Sequence, residues 1–194
     1  MGGGPAGLSA ALRLATLQQQ FDRAPLSIAV LEKARENGAH LLSGAVLDPS
    51  ALDELIPDWK ERGAPLDVPV NDDQIYFLTQ KRKLRFPITP PPLRNHGNYV
   101  ISLNRFIKWL AAQAESAGVD VFTGFSGSEI LFEGDRVIGV RTGDRGVDRE
   151  GNPKPNFEPG VDIKALVTIF ADGVRGNLTK TLISRYSLDA NSLP

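Results

Sequence analysis

Apolar residues recur at helical spacing from Pro5 to about Gln20, at Leu8, Leu12, Ala15 and Leu17, and predict a helix. Pro5 suits its first turn, where a missing N–H costs nothing. Asp22-Arg23-Ala24-Pro25 breaks the pattern, and "LSIAVLE" follows as a short buried strand ending at Glu32. In front of the helix stands Gly2-Gly3-Gly4-Pro5-Ala6-Gly7, which reads G-x-G-x-x-G. Loop, helix, strand and acidic residue follow one another as in a βαβ unit whose first strand is missing.

The pattern then changes several times. Ser50 with Asp53 predicts a capping box for a short helix carrying Leu52, Leu55, Ile56 and Trp59, kinked or ended near Pro57. "DQIYFLTQKRKLRFPI" reads as a hairpin turning at Gln80-Lys81-Arg82, and Pro90-Pro91-Pro92 as an extended connector. "LNRFIKWLAAQAESAG" gives the clearest helix, with Phe106, Ile107, Leu110, Ala111 and Ala114 on one face. Phe106 and Trp109 are assigned to its core side, and Gly118 is its stop. "VDVFTG", "SEILFEG" and "RVIGVRTG" alternate as strands of a β-meander, and "DRGVDREGNPKPNFEPG" reads as loop or insertion. "DIKALVTIFADG" predicts one buried strand ending at Asp172-Gly173, with a last helix from about Asn177. The expected organisation is a single partial cofactor-binding domain: 1–48 with the glycine loop, 49–100 as an insertion, and 101–194 with the meander and returning strand.

The 194 residues, 41% of them hydrophobic, suffice for a real core. A net charge of -1 gives no reason to expect a nucleic-acid partner. With no cysteine, disulfides, thiolate zinc sites and iron–sulfur ligation are excluded within these residues, and His40 and His96 are too far apart for a metal site. No apolar run reaches the roughly 18 residues of a spanning helix, and no signal peptide is visible at the start.

Glycines in this spacing allow a tight turn, close backbone approach to a pyrophosphate and close helix packing, with the positive end of the helix dipole facing the anion. Glu32 lies 25 positions after Gly7, somewhat beyond the usual spacing, at the end of the second strand where a carboxylate accepts from a ribose diol. "VTIFADG" reads as a strand returning beside the loop. The long insertion and meander between the two favour FAD over NAD, whose βαβ units follow one another closely. An ordinary glycine turn, a solvated acid and an Asp-Gly turn are the plain alternatives.

"GGGPAGLSAALRL", "VLEKARENGAHLLSGAVLDPSALDELIPDWKERGAPL", "NHGNYVISL" and "GVDREGNPKPNFEPG" with "VTIFADG" together resemble the FAD-binding part of the electron transfer flavoprotein–ubiquinone oxidoreductases. The first piece is generic to flavoproteins; "GAHLLSGAVLDP" to "DWKERGAPL" and "NPKPNFEPG" are far more specific. The resemblance implies an α/β, Rossmann-like, glutathione-reductase-type sheet with an inserted meander. It implies an electron-transferring-flavoprotein dehydrogenase that takes electrons from reduced electron transfer flavoprotein, through FAD and a 4Fe-4S cluster, to ubiquinone. The cluster ligands lie outside these residues.

Carried over, Gly2, Gly4 and Gly7 would hold the pyrophosphate, with Pro5 and Ala6 of the same loop at the cofactor, Glu32 would meet the adenosine ribose with Lys33 among the cofactor-binding residues, and Ser43 and Gly44 would pass the flavin. Ala171, Asp172 and Gly173 would close around the cofactor. Monotopic attachment to a bacterial cytoplasmic or mitochondrial inner membrane is implied as well, and the stripe Leu52, Leu55, Ile56 and Trp59 either touches the bilayer or packs inward. Lys81, Arg82, Lys83 and Arg85 read as a solvated hairpin tip or a dock for an acidic partner. His40 reads as a hydrogen-bonded loop histidine or a proton relay. The competing readings are a geranylgeranyl-reductase-like or monooxygenase-like flavoprotein, or a non-catalytic FAD-binding fragment. Taken by itself, the chain is expected to be inactive in quinone reduction.

Overall fold

The four expected helices are present in the computed structural model, which describes residues 1–21, 24–41, 44–148, 150 and 152–190. In chain order the first half holds α1 (Pro5–Gln18), β1 (Ala29–Glu32), β2 (Ala45–Leu47), α2 (Ser50–Leu55), β3 (Val68–Pro69), β4 (Tyr76–Leu78), β5 (Lys83–Arg85) and β6 (Tyr99–Ile101). The second half holds α3 (Leu103–Ser116), β7 (Asp120–Thr123), β8 (Gly127–Glu133), β9 (Arg136–Thr142), β10 (Arg145–Val147), β11 (Pro153–Glu158), β12 (Asp162–Lys164) and α4 (Asn177–Tyr186). The chain divides into two compact units, one of residues 1–40 with 110–194 and the other of residues 41–109, so α3 runs through the division.

In the first unit β1 pairs with β7 in parallel, Ala29 opposite Asp120 and Glu32 opposite Thr123. Leu8, Ala11, Leu12 and Ala15 bury one face of α1, and Val30 and Leu31 are the buried residues of β1. Leu110, Ala111 and Ala114 of α3 are buried as their spacing predicts. The helix ends with the Val119 N–H bonded to the Ala114 carbonyl (3.1 Å) across Gly118 at φ +88°. β8, β9 and β12 form an antiparallel sheet in the order β12-β9-β8. Leu31, Ile130, Val140 and Leu178 make a buried cluster against which Met1, Phe125, Phe132, Ile163, Phe170 and Leu182 pack.

Two expectations fail in this unit. The stretch read as loop contains a two-stranded antiparallel ribbon, β10 with β11, in which Arg145 faces Glu158 and their side chains pair at 3.3 Å. All six residues of β11 are exposed, so no alternation marked it as a strand. The run "DIKALVTIFADG" is not one buried strand. Only Asp162–Lys164 joins a ladder, on β9, and Leu166 and Val167 are 84% and 78% exposed. The remainder meets the start of the chain instead: the Met1 amine donates to the Ile169 carbonyl (2.7 Å) and the Ala171 N–H donates to the Met1 carbonyl (2.8 Å). That alternation is the hydrogen-bonding pattern of a parallel pair.

In the second unit β2, β6 and β3 form a small antiparallel sheet in the order β2-β6-β3. Leu52, Ile56, Trp59, Leu66, Ile101, Phe106 and Ile107 are its buried apolar residues, and Leu55 is half-buried, so the Leu52–Trp59 stripe packs inward. The Trp59 ring meets Tyr99 edge-on at 5.8 Å, and its indole N–H donates to Asp53 Oδ1 at 2.6 Å. Trp109 is only half-buried, its indole N–H held by the Arg62 carbonyl (2.9 Å), so it flanks the core face rather than belonging to it.

The capping box is not formed. Pro49 is the N-cap of α2, and Ser50, inside the first turn, donates its N–H to Asp48 Oδ1 (2.9 Å). The proline run is not wholly extended, because Pro91–Leu93 winds into a single 3-10 turn. The predicted hairpin is present as β4 and β5, closed by the Thr79 N–H on the Arg82 carbonyl (2.8 Å). Asp73 clasps the base of the hairpin segment: its carboxylate accepts from the Asn95 backbone N–H (2.7 Å) and Nδ2 (3.0 Å). Those bonds hold its carboxyl below the usual range.

Candidate functional site

The glycine loop is built by contacts that leave no room for side chains. A Cβ on Gly2, whose φ is +105°, would lie 2.2 Å from the Ala171 carbonyl oxygen, and one on Gly7 would lie 1.9 Å from the Gly2 carbonyl oxygen. Gly2 thus lets the returning segment approach, and Gly7 lets α1 sit directly on the loop. The Gly2 N–H donates to the Leu31 carbonyl (2.8 Å), which fixes the loop against β1.

Gly4 differs, since nothing lies within 4 Å of a Cβ built on it. It is the N-cap of α1 in extended geometry (φ -81°, ψ -175°), and no side chain caps the helix. Pro5 has no N–H to offer, and the Leu8 N–H returns to the Gly4 carbonyl (3.0 Å), so among the described residues the amides of Ala6 and Gly7 are the donors of the first turn left without a partner. Exposed Pro5 and Ala6, open space at Gly4, two backbone donors and the positive end of a 14-residue helix make a cradle for an anion. The residues present fit a pyrophosphate there.

Glu32 stands beside this cradle, half-buried at the end of β1. Its Oε2 accepts the Gly3 N–H at 2.8 Å and its Oε1 accepts the Ala34 N–H at 2.8 Å. The structure therefore brings Gly2, Gly4, Pro5, Ala6, Gly7 and Glu32 together, with Ala171 on the far side of Gly2. Lys33 is exposed.

The Asp172 side chain also has partners within the fold. Its carboxylate accepts the N–H groups of Leu178 (3.2 Å) and Thr179 (3.3 Å) and the Thr179 hydroxyl, so it caps α4. Gly176 is what lets it reach, because a Cβ there would lie 2.1 Å from the Asp172 carboxyl carbon. Gly173 is exposed, at φ +84°. Gly44 belongs to the second unit, exposed and at φ +88° with open space around it. Ser43 lies outside the described residues. His40 is exposed and forms no hydrogen bond to another described residue, unlike the loop histidine expected.

Sequence reasoning missed two features. Nothing in the G-x-G-x-x-G pattern announces the Gly3–Glu32 bond, which only the fold creates. Asn37 Oδ1 and Thr168 Oγ1 are buried acceptors without a partner, on the segments that leave β1 and approach Met1. Among the described residues no group of His, Asp and Glu is placed to hold a metal ion, and no helix is long and apolar enough to cross a membrane.

No family model matches the sequence. Among curated proteins it is 48% identical over 196 residues to the mitochondrial electron transfer flavoprotein–ubiquinone oxidoreductase of Sus scrofa, covering 100% of this chain and 32% of that one. It is 46% identical over 198 residues to the probable electron transfer flavoprotein–ubiquinone oxidoreductase of Acinetobacter baylyi, again covering 100% of this chain and 35% of the other. The chain thus spans about a third of the length of these relatives.

Among solved structures, a geranylgeranyl bacteriochlorophyll reductase-like protein from Thermoplasma acidophilum is 27% identical. It covers 84% of this chain and 36% of its own, with a TM-score of 0.57. Aklavinone-11 hydroxylase, solved with FAD and aklavinone, is 18% identical over 93% of this chain and 33% of its own, with a TM-score of 0.60, and shares the fold. The α/β fold is that of FAD-binding oxidoreductases and hydroxylases.

Proposed function

We propose, from kinship with the electron transfer flavoprotein–ubiquinone oxidoreductases along the whole chain, that these residues form the FAD-binding part of such an enzyme. The observation that carries the reading is the glycine loop: Gly2 and Gly7 packed to contact, Gly4 open, and two free amides at the head of α1. Gly2, Gly4, Pro5, Ala6 and Gly7 would hold the pyrophosphate, Glu32 the adenosine ribose, and Ala171 the loop's far wall, with Lys33, Asp172 and Gly173 kept among the cofactor-binding residues by resemblance. Ser43 and Gly44 remain assigned to the flavin by resemblance. When bound, FAD supplies the redox chemistry; these residues bind it, orient it and exclude water from it. The whole protein would take electrons from reduced electron transfer flavoprotein and deliver them to ubiquinone, with a 4Fe-4S cluster whose cysteines lie outside these residues. The chain by itself should not reduce quinone.

FAD is held noncovalently in this reading, since these residues include no cysteine and nothing marks His40 or His96 for modification. Denaturing the flavin-loaded protein and filtering it should pass all yellow colour into the filtrate. Colour retained with the precipitated chain would contradict this.

The first strand of the fold is proposed to belong between β1 and residues 169–171, where Met1 and Gly2 already bond to both sides. Burial there pushes the Met1 amine below its ordinary value, against the pull of Asp172.

Membrane contact falls on the β4–β5 hairpin in this reading, because the Leu52–Trp59 stripe is buried. Phe77 opposes Leu84, and the Phe86 N–H bonds to the Ile75 carbonyl (2.9 Å), so these four share one face; Tyr76, Leu78, Lys83 and Arg85 share the other. The hairpin is a two-stranded sheet of its own, with Leu78 71% and Leu84 59% exposed. Residues 74–95 carry Lys81, Arg82, Lys83, Arg85 and Arg94 and no acid, which matches an anionic lipid surface. Replacing Phe77 and Leu84 together by Asp should abolish co-sedimentation with phosphatidylglycerol vesicles and leave the far-UV spectrum unchanged. Undiminished co-sedimentation would assign the contact elsewhere.

A further inference from the structure

The glycine loop contains one hydrogen bond that the dinucleotide-binding pattern does not ask for. Gly3, the unspecified position between the first two glycines, is buried, and its N–H donates to Glu32 Oε2 at 2.8 Å. The other oxygen of the same carboxylate accepts from Ala34 (2.8 Å), in the turn that leaves β1. The two donors belong to segments 29 and 2 residues away along the chain, so one side chain ties the loop before α1 to the end of β1.

We infer that Glu32 is a positioning residue for the phosphate-binding loop, acting through the Gly3 N–H, in addition to any contact it makes with a ribose. The inference rests on reading this loop as the site of the FAD pyrophosphate. Three consecutive residues without side chains have the greatest backbone freedom a chain can have, and Gly3 is the middle one. A loop fixed before its ligand arrives loses less freedom on binding.

The carboxylate can do both jobs in one protonation state. Ionised, it offers about four acceptor positions, and two backbone amides take two of them. The remaining pair is free for two hydroxyls. An amide of the same size cannot substitute, because it has one acceptor oxygen and turns its NH2 toward the other N–H.

The test compares the 194-residue chain with its Glu32→Gln variant in two measurements. The first is amide hydrogen exchange without ligand. Whichever of Gly3 and Ala34 then faces the NH2 should exchange about tenfold faster in the variant, as expected for a lost charge-assisted bond, while β7 and the buried face of α3 are unchanged. The second is the affinity for ADP and for 2′,3′-dideoxy-ADP, which keeps the pyrophosphate and has no ribose hydroxyl for Glu32 to accept from. Positioning weakens both by a similar factor, about tenfold.

A loss confined to ADP, with exchange at both Gly3 and Ala34 unaltered, would restrict Glu32 to the ribose and overturn the inference. If neither nucleotide binds the unaltered chain, the flavin reading of the loop fails, while exchange at Gly3 and Ala34 still decides the positioning role. If Glu32→Gln accelerates exchange in β7 too, the same criteria apply to Glu32→Asp, which keeps the charge and draws both oxygens back by a methylene.

Discussion

Gly4→Val should abolish FAD binding and leave the protein folded. Gly4 has an ordinary extended conformation (φ -81°, ψ -175°) that valine adopts without strain, and no atom lies within 4 Å of the new Cβ. The fold therefore loses only part of an N-cap preference, about 1 kcal/mol or less. The valine methyls occupy the space a pyrophosphate needs in front of the Ala6 and Gly7 amides. Two charge-assisted bonds are then lost, each worth about 1.5–3 kcal/mol, and affinity should fall by at least about 100-fold.

Equilibrium dialysis against FAD measures the loss, and a urea titration checks the fold. Binding within a few-fold of the unaltered protein would remove Gly4 from the site. Gly7→Ala should behave in the opposite way. Its Cβ would sit 1.9 Å from the Gly2 carbonyl oxygen, so stability should drop by about 1–3 kcal/mol or more.

The second large effect concerns stability. Extending the chain upstream of Met1 by one β-branched strand should raise the urea midpoint and improve flavin retention. Met1 and Gly2 already bridge β1 and residues 169–171 in parallel fashion, and Leu166 and Val167 lie exposed on the continuation of that segment. Each added strand residue buries about 1.5–3 kcal/mol of side chain and gains a hydrogen bond of about 1 kcal/mol, against ordering of about 1–2 kcal/mol. A net gain of about 1 kcal/mol per residue follows. Identical midpoints and identical flavin retention in the two chains would show that no strand belongs there.

What the sequence revealed depended on whether the cause was local. The buried face of α3 follows from period-3.6 spacing and a glycine stop, both carried within sixteen consecutive residues, 103–118. The glycine loop was legible because Gly2 and Gly7 each meet a fixed steric demand, and Gly4 leaves open space at the helix start. The β10–β11 ribbon was not legible, because both faces of β11 are solvated and its pairing spans a polar turn. The expected Ser50–Asp53 box failed because Asp48, two residues earlier, captures the Ser50 N–H. Asp172 suggested a cofactor contact by its place in "ADG"; its capping of α4 depends on Gly176 clearing the way, a relation that only three dimensions display. Glu32 was found as a ribose acceptor by its place at the strand end, and its grip on Gly3 is a tertiary contact between residues 29 positions apart.

The solvated ribbon has a consequence for life in a crowded compartment. Among the described residues β11 ends the two-stranded sheet with its outer side unpaired, the sort of border on which a foreign chain can template and begin an aggregate. Pro153 and Pro155 bring no N–H to that border, and Lys154 between them adds a charge. Each proline interrupts any incoming ladder at alternate positions, so the insertion can project into solvent without becoming adhesive.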